Sequence, residues 1–328
     1  MPVEPEQIDV CGIIRRAIPE LASGKWELVS CRSTQHLERH KKSALDWYQI
    51  SYRQPQQEPV EEEIIAKHFL KHPSHARTTY RNLIRLGRAG FKVHSPFGVS
   101  HPLGYSAEPP ILFMRPAPGI SWEGIIQDGG DDVVVASERA ADWLFRFQES
   151  GLRLRPESRG LVASYLDRRR GKFDLLIPEM SPRIHRIIER IKKDLPYASE
   201  MKPSHGDFRS AHIYLAPESV TGIDFDGLRF REPAVDAGYC IGHLLTRSYF
   251  NTGNFDNGVA AAGPFLKRYL SLSAVDLSRI RLHSGRAIFQ RAPYRVAKHD
   301  PRAEAVEPWF DLIEQFIDPE AKMPLVDI

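Results

Sequence analysis

Cysteine is scarce in this chain of 328 residues, and the three that occur, Cys11, Cys31 and Cys240, form no CxxC pair. Zinc ribbons and the disulfide frameworks of small secreted domains need paired or closely spaced cysteines. The spacing therefore predicts neither a zinc site nor a disulfide framework, and it favours a reducing cytoplasm.

Long apolar segments and an excess of one charge are also lacking. No apolar stretch reaches the ~18 residues that suggest a membrane span. The N-terminal sequence MPVEPEQIDV has acids where a signal peptide needs basic and apolar residues. Lys and Arg number 45 against 42 Asp and Glu. We therefore expect a cytoplasmic protein with a small-molecule partner, no nucleic acid and no membrane. The sequence leaves the oligomeric state open.

The first third of the chain has patterns of both strands and helices. Residues 26–53 are predicted to form strands of an antiparallel sheet, because LDWYQISYR alternates in side-chain character. A helix is predicted over residues 61–72, and a second one ends at GRAGF.

A short apolar run at residues 111–116, followed by PAPG, is predicted to be a hinge between two lobes. The N-terminal lobe would comprise residues 1–115 and the C-terminal lobe residues 116–328. Beyond the hinge the apolar periodicity becomes helical, and IYLAPESVTGIDFDG is predicted to form a β-hairpin. Two lobes fit the length, since domains usually contain roughly 100–200 residues.

Carboxylates stand at the ends of predicted strands and turns in the stretch 204–238. Asp207 follows Gly206, and glycine permits backbone geometry that other residues resist. Asp224 is predicted to lie in a strand between Ile223 and Phe225, with its side chain on the opposite face from theirs. Two carboxylates held near one site imply a cation between them.

This stretch, SHGDFRSAHIYLAPESVTGIDFDGLRFREPAVDAG, resembles the signature of aminoglycoside phosphotransferases, choline kinases and related small-molecule kinases. That signature is HGDxxxxN followed by IDFE/D and DPxxDL, and ILFMRPAPG and AADWLFRFQESG support it upstream. The resemblance covers about residues 111–250, with a weaker likeness back to Trp26. It implies an α+β, two-lobed protein kinase-like fold, with a small N-lobe built on an antiparallel sheet and a larger, mostly helical C-lobe.

The resemblance also implies roles for individual residues. Asp207 matches the catalytic aspartate that orients or deprotonates the acceptor hydroxyl, and Asp224 matches the aspartate that binds the metal ion. Asp236 matches the aspartate that braces the catalytic loop by hydrogen bonds. From its position alone, Arg209 is expected to compensate charge on the transferred phosphoryl group.

His212 stands where the family has asparagine, and this is similar to the histidine of macrolide kinases. It is expected to be either a metal ligand or a structural histidine. Imidazole is a softer ligand than an amide oxygen, so a ligand role would either favour Mn²⁺ over Mg²⁺ or place a water between His212 and the metal.

The implied cofactor is ATP or GTP with Mg²⁺ or Mn²⁺. The main chain around Met114 and Arg115 would meet the adenine. A polar, glycine-free turn at residues 30–34, which includes Ser33 and Thr34, would cover the phosphates.

The phosphate-binding lysine of the family has no match when WYQISYR is aligned with the family strand, because Ile50 takes its position. Thr79 stands where the lysine's glutamate partner is expected. Arg53, paired with an acid of residues 61–63 on the predicted helix, is the proposed replacement.

Three functions remain open at this point. The first is ATP- or GTP-dependent O-phosphorylation of a small hydroxylated molecule such as an antibiotic, a sugar or an amino alcohol. The second is a pseudokinase or nucleotide-binding regulatory module without phosphotransfer, which the unmatched lysine and glutamate favour. A third is nucleotidyl transfer on the same fold.

Overall fold

The computed structural model describes residues 9–36, 42–92, 95–157, 159–195 and 200–324. The chain divides into two compact units, residues 1–118 and 119–328. The sequence analysis placed the lobe boundary between residues 115 and 116, at the end of a strand in the N-terminal unit.

The N-terminal unit is built on an antiparallel sheet. Its helices are α1 (Val10–Ala17), α2 (Pro19–Ala22) and α3 (Ser74–Arg88). Its strands are β1 (Glu27–His36), β2 (Ser43–Arg53), β3 (Val60–Phe69), β4 (Phe97–Val99), β5 (Pro102–Ser106) and β6 (Ile111–Met114). The five-stranded sheet has the order β1-β2-β3-β6-β5. The strands predicted within residues 26–53 are confirmed as β1 and β2, which pair antiparallel.

One face of β2 forms the core of this unit. Tyr48, Ile50 and Tyr52 recur at every second position of the strand and are all buried. They belong to one apolar cluster with Ile13 and Ile14 of α1. The alternation in LDWYQISYR therefore identifies the face that packs against the N-terminal helix.

The prediction of a helix over residues 61–72 is wrong, because most of this segment belongs to strand β3. β3 pairs antiparallel with β2 from Val60 to Phe69 and with β6 from Ile65 to His68. Glu, Ala and Lys are good helix formers, but pairing on both sides in the sheet overrides that preference.

A disulfide joins Cys11 of α1 to Cys31 of β1, contrary to the expectation from cysteine spacing. The two residues are 20 positions apart in sequence, and no local motif links them. Their Cα atoms are 5.8 Å apart because α1 packs next to the sheet. Cys240 is a buried free cysteine. The disulfide removes the cysteine argument for a reducing compartment, so the cytoplasmic location stays a prediction.

The C-terminal unit is mostly helical. Its helices are α4 (Trp122–Asp128), α5 (Asp132–Gln148), α6 (Arg159–Leu176), α7 (Ser181–Asp194), α8 (Ala234–Thr252), α9 (Asp256–Leu272), α10 (Leu277–His299) and α11 (Ala303–Ile317). Its strands are β7 (Ile120–Ser121), β8 (Lys202–Ser204), β9 (Ile213–Ala216), β10 (Ser219–Gly222) and β11 (Arg229–Arg231). β9 and β10 form the predicted hairpin, β7 pairs with β9, and β8 pairs with β11. Within the described residues, no helix combines the length and apolar character needed to cross a membrane.

An aromatic stack supports the strands next to the predicted catalytic loop. Trp143 of α5 is fully buried, and its ring stacks on Phe147 and Phe208 at centroid distances of 5.1 and 5.9 Å. Gly222, at the end of β10, lies against the six-membered ring of this indole. A Cβ at Gly222 would stand 2.3 Å from Cζ2 of Trp143.

We therefore expect Gly222→Ala to lower the free energy of unfolding by about 1–3 kcal/mol, the usual cost of overpacking a core. Urea denaturation measures the change. The matched control is Gly171→Ala in α6, where an added Cβ meets no atom within 4 Å. Equal urea midpoints for the two variants would contradict this account of the stack.

Candidate active site

The predicted catalytic loop begins where β8 ends. β8 pairs antiparallel with β11, so Ser204 lies opposite Arg229. Gly206 follows with φ of 83°, a left-handed conformation that favours glycine. A Cβ at this position would stand 2.4 Å from the carbonyl oxygen of Gly227. Glycine is therefore required here for both conformation and space, as the sequence predicted.

Asp236 of α8 holds this loop in place by hydrogen bonds. Its carboxylate accepts hydrogen bonds from the Ser204 hydroxyl at 3.0 Å, the His205 N–H at 2.7 Å and the Gly206 N–H at 3.0 Å. Asp236 is buried, and hydrogen bonds to a buried carboxylate are strong. The loop that carries Asp207 is thereby fixed to α8, which agrees with the role that the resemblance implies for Asp236.

Asp224 does not lie in a strand, as the sequence predicted, but directly after the β9–β10 hairpin. Its backbone is left-handed, with φ of 65° and ψ of 62°. Asp tolerates this conformation better than most residues, and such sites recur where side chains have functional roles. The adjacent Ile223 carbonyl is 2.8 Å from Nε2 of His205, which connects this turn to the loop that carries Asp207.

The loop and the turn bring three predicted site residues together. Asp207, His212 and Asp224 each offer one ligand atom, and these atoms all lie within 4.8 Å of one another. Nε2 of His212 is 3.6 Å from a carboxylate oxygen of Asp224, and its Nδ1 is 3.7 Å from one of Asp207.

The hydrogen bonds of His212 define its tautomer. Its Nδ1 lies 3.0 Å from the backbone carbonyl of Asp207, so we assign the proton to Nδ1, which donates. Nε2 then accepts from the Arg209 guanidinium at 2.8 Å. Burial is the main cause that lowers the pKa of His212 to about 4, and the Arg209 charge adds to it against the attraction of Asp224. His212 is therefore neutral at pH 7.

Asp207 is held by groups that the sequence analysis did not identify. The Tyr239 hydroxyl donates to its Oδ1 at 2.6 Å, and Arg291 donates to the Tyr239 hydroxyl. Tyr239 lies three positions after Asp236 on α8, one helical turn away, and this spacing is the signal that could have identified it. Arg291 comes from α10, and no local pattern points to it.

These contacts set the charge of Asp207. Burial alone raises its pKa, but His212, Arg209 and the Tyr239 hydrogen bond outweigh burial and leave that pKa below its ordinary value. His212 is neutral at pH 7, so at that pH Arg209 and Tyr239 are the groups that lower the pKa of Asp207. Nε of Arg209 is 3.5 Å from the Asp207 carboxylate. Asp207 is therefore ionised at neutral pH.

The donor set fits a divalent cation such as Mg²⁺ or Mn²⁺. Carboxylate oxygens are the ligands these ions prefer, and imidazole suits transition metals such as Mn²⁺. The Nδ1–H of His212 donates to a backbone carbonyl, which is the usual support for a histidine that binds metal through its other nitrogen. Arg209 occupies that second nitrogen in this structure.

Ser33 and Thr34 do not lie in a turn, as predicted, but within strand β1. Ser33 pairs with Tyr48 of β2, and the register shifts between Ser33 and Gln35. Most of residues 37–42, which connect β1 to β2, lie outside the described residues. The prediction of a strand holds for this segment, and the prediction of a turn at residues 30–34 is wrong.

Arg53 does not replace the missing lysine through residues 61–63. Its Nε donates to Glu27 at 2.8 Å, and both side chains are more than half exposed. Glu62 instead binds Arg115 and accepts from the Tyr52 hydroxyl at 3.1 Å. The proposed pairing assumed a helix where β3 is a strand.

Met114 ends β6, and the next residue has its backbone N–H engaged. The Arg115 N–H donates to the His101 carbonyl at 2.9 Å. Pro116 and Pro118 have no N–H, which leaves Ala117 as the amide donor of this segment.

Lys67 lies on β3, the segment for which the sequence analysis predicted a helix. In protein kinases the phosphate-binding lysine lies on the third strand and pairs with a glutamate of the following helix. Here β3 is the strand directly before α3, and Lys67 lies on it. Lys67 is 7% exposed, with Nζ 5.2 Å from the ring centre of Phe69. Helix α3, SHARTTYRNLIRLGR, contains no acid.

No family model and no curated protein matches this chain in sequence. Solved structures do match it. The streptomycin-ATP-APH(2")-IIa ternary complex has 14% identity and a TM-score of 0.53, over 95% of this chain and 97% of that one. Macrolide 2'-phosphotransferase MphH from Brachybacterium faecium has 12% identity and a TM-score of 0.52, over 93% and 98%. A choline/ethanolamine kinase family protein from Mesorhizobium loti has 12% identity and a TM-score of 0.54, over 97% of each chain.

At these identities the likeness shows the fold. The chain has the protein kinase-like fold shared by aminoglycoside phosphotransferases, macrolide 2'-phosphotransferases and choline kinases. The predicted α+β architecture, with a sheet-based N-terminal unit and a helical C-terminal unit, is confirmed. The resemblance drawn from the motifs around Asp207 is also confirmed, at the level of the fold.

Proposed function

We propose that this protein transfers the γ-phosphoryl group of ATP or GTP to a hydroxyl of a small molecule, with Mg²⁺ or Mn²⁺ as the metal. The observation that carries the proposal is the cluster of Asp207, His212 and Asp224, whose ligand atoms lie within 4.8 Å of one another. Structures with this fold include complexes of one protein with ATP and of another with GDP, which supports nucleotide binding.

Asp207 is the catalytic residue of the proposal. Its ionised carboxylate orients the acceptor hydroxyl and accepts its proton as the phosphoryl group transfers. Tyr239 and Asp236 fix its position, the first by a hydrogen bond to Oδ1 and the second through the loop backbone. Positioning of this kind is a large part of catalysis in phosphoryl transfer.

Asp224 and His212 hold the metal ion in this proposal. When bound, the ion neutralises charge on the nucleotide phosphates. His212 would bind the ion through Nε2, and Arg209, which now donates to that nitrogen, would have to release it. Arg209 is then free to compensate charge on the transferred phosphoryl group, the role that its position suggested.

Lys67 is the cation that we assign to the nucleotide phosphates, in place of Arg53. Its location on the third strand, directly before α3, supports the assignment. The main chain at Met114 and at Ala117 is the proposed contact for the base. Ser33 and Thr34 remain candidates for phosphate contacts from β1.

The second candidate function is a nucleotide-binding pseudokinase. The specific observation in its favour is that α3 contains no acid, whereas this helix supplies the glutamate of the lysine–glutamate pair in active protein kinases. Lys67 itself weakens this alternative, because it restores the cation that the sequence analysis could not find.

Thermal stability in the presence of nucleotide tests the proposal. ATP or GTP with Mg²⁺ or Mn²⁺ is expected to raise the melting temperature, since a ligand that binds only the folded state stabilises it. Nucleotide without metal is expected to give a smaller rise. No shift at millimolar nucleotide with either cation would refute both the phosphotransferase and the pseudokinase.

We expect His212→Asn to retain the fold and to change the metal preference toward Mg²⁺. Asparagine supplies a hard oxygen ligand, and changes at metal sites commonly alter affinity by about tenfold or more. Calorimetric titration of ATP with each metal into the parent and the variant gives the ratio of affinities. If His212→Asn unfolds the protein, or leaves this ratio unchanged, His212 is structural.

A further inference from the structure

A cavity with a strongly basic lining lies beside the catalytic loop in the C-terminal unit. Its volume is about 390 Å³, within the range of small-molecule sites. Arg209 and Arg291 line it, and their guanidinium groups lie 3.5 and 3.9 Å from the Asp207 carboxylate. The cavity therefore shares two arginines with the surroundings of the carboxylate that we assign as catalytic.

Arginines outnumber carboxylates at this cavity. Besides the two arginines near Asp207, the lining contains Arg247 and Arg295. The acidic residue of the lining is Glu123. Glu123 is paired with Arg247 at 2.6 Å. Even when Asp207 is counted, four guanidinium groups face two carboxylates, and two positive charges remain.

A histidine, His243, also lines the cavity. The residue is buried, and Nδ1 has no hydrogen-bond partner among the described residues. Burial and then the charges of Arg291 and Arg209 hold the pKa of His243 well below its ordinary value. The imidazole is therefore neutral, and it leaves the arginines as the charged groups of the lining.

Arg295 is the arginine best placed to bind a ligand. Its guanidinium stacks on the ring of Phe250, with 4.2 Å between the carbon centre and the ring centroid. No carboxylate of the described residues lies within ion-pair distance of it. Stacking fixes the plane of the guanidinium and leaves its edge, with the N–H donors, available for a carboxylate or phosphate.

We propose that this cavity binds the acceptor through an anionic group, so that the substrate is a small hydroxylated phosphate or carboxylate and not a cation such as an aminoglycoside or choline. The proposal rests on the phosphotransferase function above for the identity of the acceptor. The cavity volume limits the ligand to a small molecule, and the excess of guanidinium groups disfavours a cationic one through direct repulsion.

Calorimetry without nucleotide tests the proposal with four probes: glucose 6-phosphate, gluconate, glucose and kanamycin. At least one of the two anions is expected to bind roughly tenfold more tightly than glucose, the size of effect typical for a hydrogen bond to a charged group. Tighter binding of glucose 6-phosphate would identify a phosphate subsite, and tighter binding of gluconate a carboxylate subsite. Glucose or kanamycin binding as tightly as both anions would overturn the proposal.

Arg295→Gln is expected to remove most of this preference for an anion. The matched control is Lys298→Gln, which removes one exposed positive charge from the same helix without touching the cavity lining. Equal anion affinities in the two variants would place the binding elsewhere and overturn the proposal. Melting curves confirm that both variants are folded.

Nucleotide binding is measured separately in the same preparations. Anion binding that depends on Arg295, in a protein that binds no nucleotide, would support the anion site and refute phosphotransfer. Nucleotide binding and phosphorylation of kanamycin, without anion binding, would support phosphotransfer and refute the anionic acceptor.

Discussion

Asp207→Asn is expected to lower the turnover of phosphoryl transfer by about a thousandfold, within the range for loss of a general base. The amide has the same size as the carboxylate and still accepts from Tyr239, so the loop stays in place. It cannot orient a hydroxyl through a negative charge or take up its proton. Nucleotide affinity should remain within a few-fold of the parent, because Asp207 acts on the acceptor.

Steady-state kinetics and calorimetry with ATP and metal separate these two effects. Asp128→Asn is the matched control, since it removes an exposed carboxylate of the same unit at the end of α4. Full turnover in Asp207→Asn would show that the carboxylate has no catalytic role. Loss of nucleotide binding in the same variant would assign Asp207 to the metal site instead.

Lys67→Met is expected to weaken ATP binding by roughly ten- to a hundredfold, since hydrogen bonds to charged groups contribute about 1.5–3 kcal/mol. Methionine keeps the length of the side chain on β3 and removes its charge. The fold should be retained, because Lys67 is buried and methionine is accommodated well in apolar surroundings.

Calorimetry of ATP with Mg²⁺ or Mn²⁺ measures this change. Lys71→Met is its control, because Lys71 is an exposed lysine just after β3. If both lysine variants bind ATP like the parent, Lys67 does not contact the phosphates. The pseudokinase alternative then gains support, since this chain would have a counterpart of neither the phosphate-binding lysine nor its glutamate partner.

The loop that carries Asp207 could be predicted because the residues that define it are close together in sequence. Asp207, Gly206 and His212 lie within seven residues of one another, and the hairpin brings Asp224 back to them. Asp236 follows at the start of α8. A pattern of this kind is legible in a single sequence because each residue is positioned by the turn or strand next to it.

The strands of the N-terminal unit were predicted less accurately, because their order depends on pairing between segments that are distant in sequence. β2 and β3 are both strands of similar length, and the motif alignment selected β2. Because VEEEIIAKHF is rich in helix-forming residues, most of β3, including Lys67, was predicted to be a helix. Pairing of β3 with β2 and β6 decides its conformation, and none of those contacts is local.

The supporting contacts of the site could not be predicted for the same reason. Arg291 reaches Tyr239 from α10, 52 positions along the chain. Cys11 meets Cys31 because α1 packs on the sheet. Arginines from α8 and α10 line the cavity only because these helices pack against each other.

The most direct test of phosphotransfer follows the γ-phosphate of radiolabelled ATP. The protein is incubated with ATP, Mg²⁺ or Mn²⁺ and the four acceptor probes, and the products are separated by chromatography. We predict that label leaves ATP for an acceptor or for water, and that this requires metal, Asp207 and Asp224. Label that stays entirely in ATP, in a protein shown by calorimetry to bind ATP and metal, would contradict the phosphotransferase and support the pseudokinase.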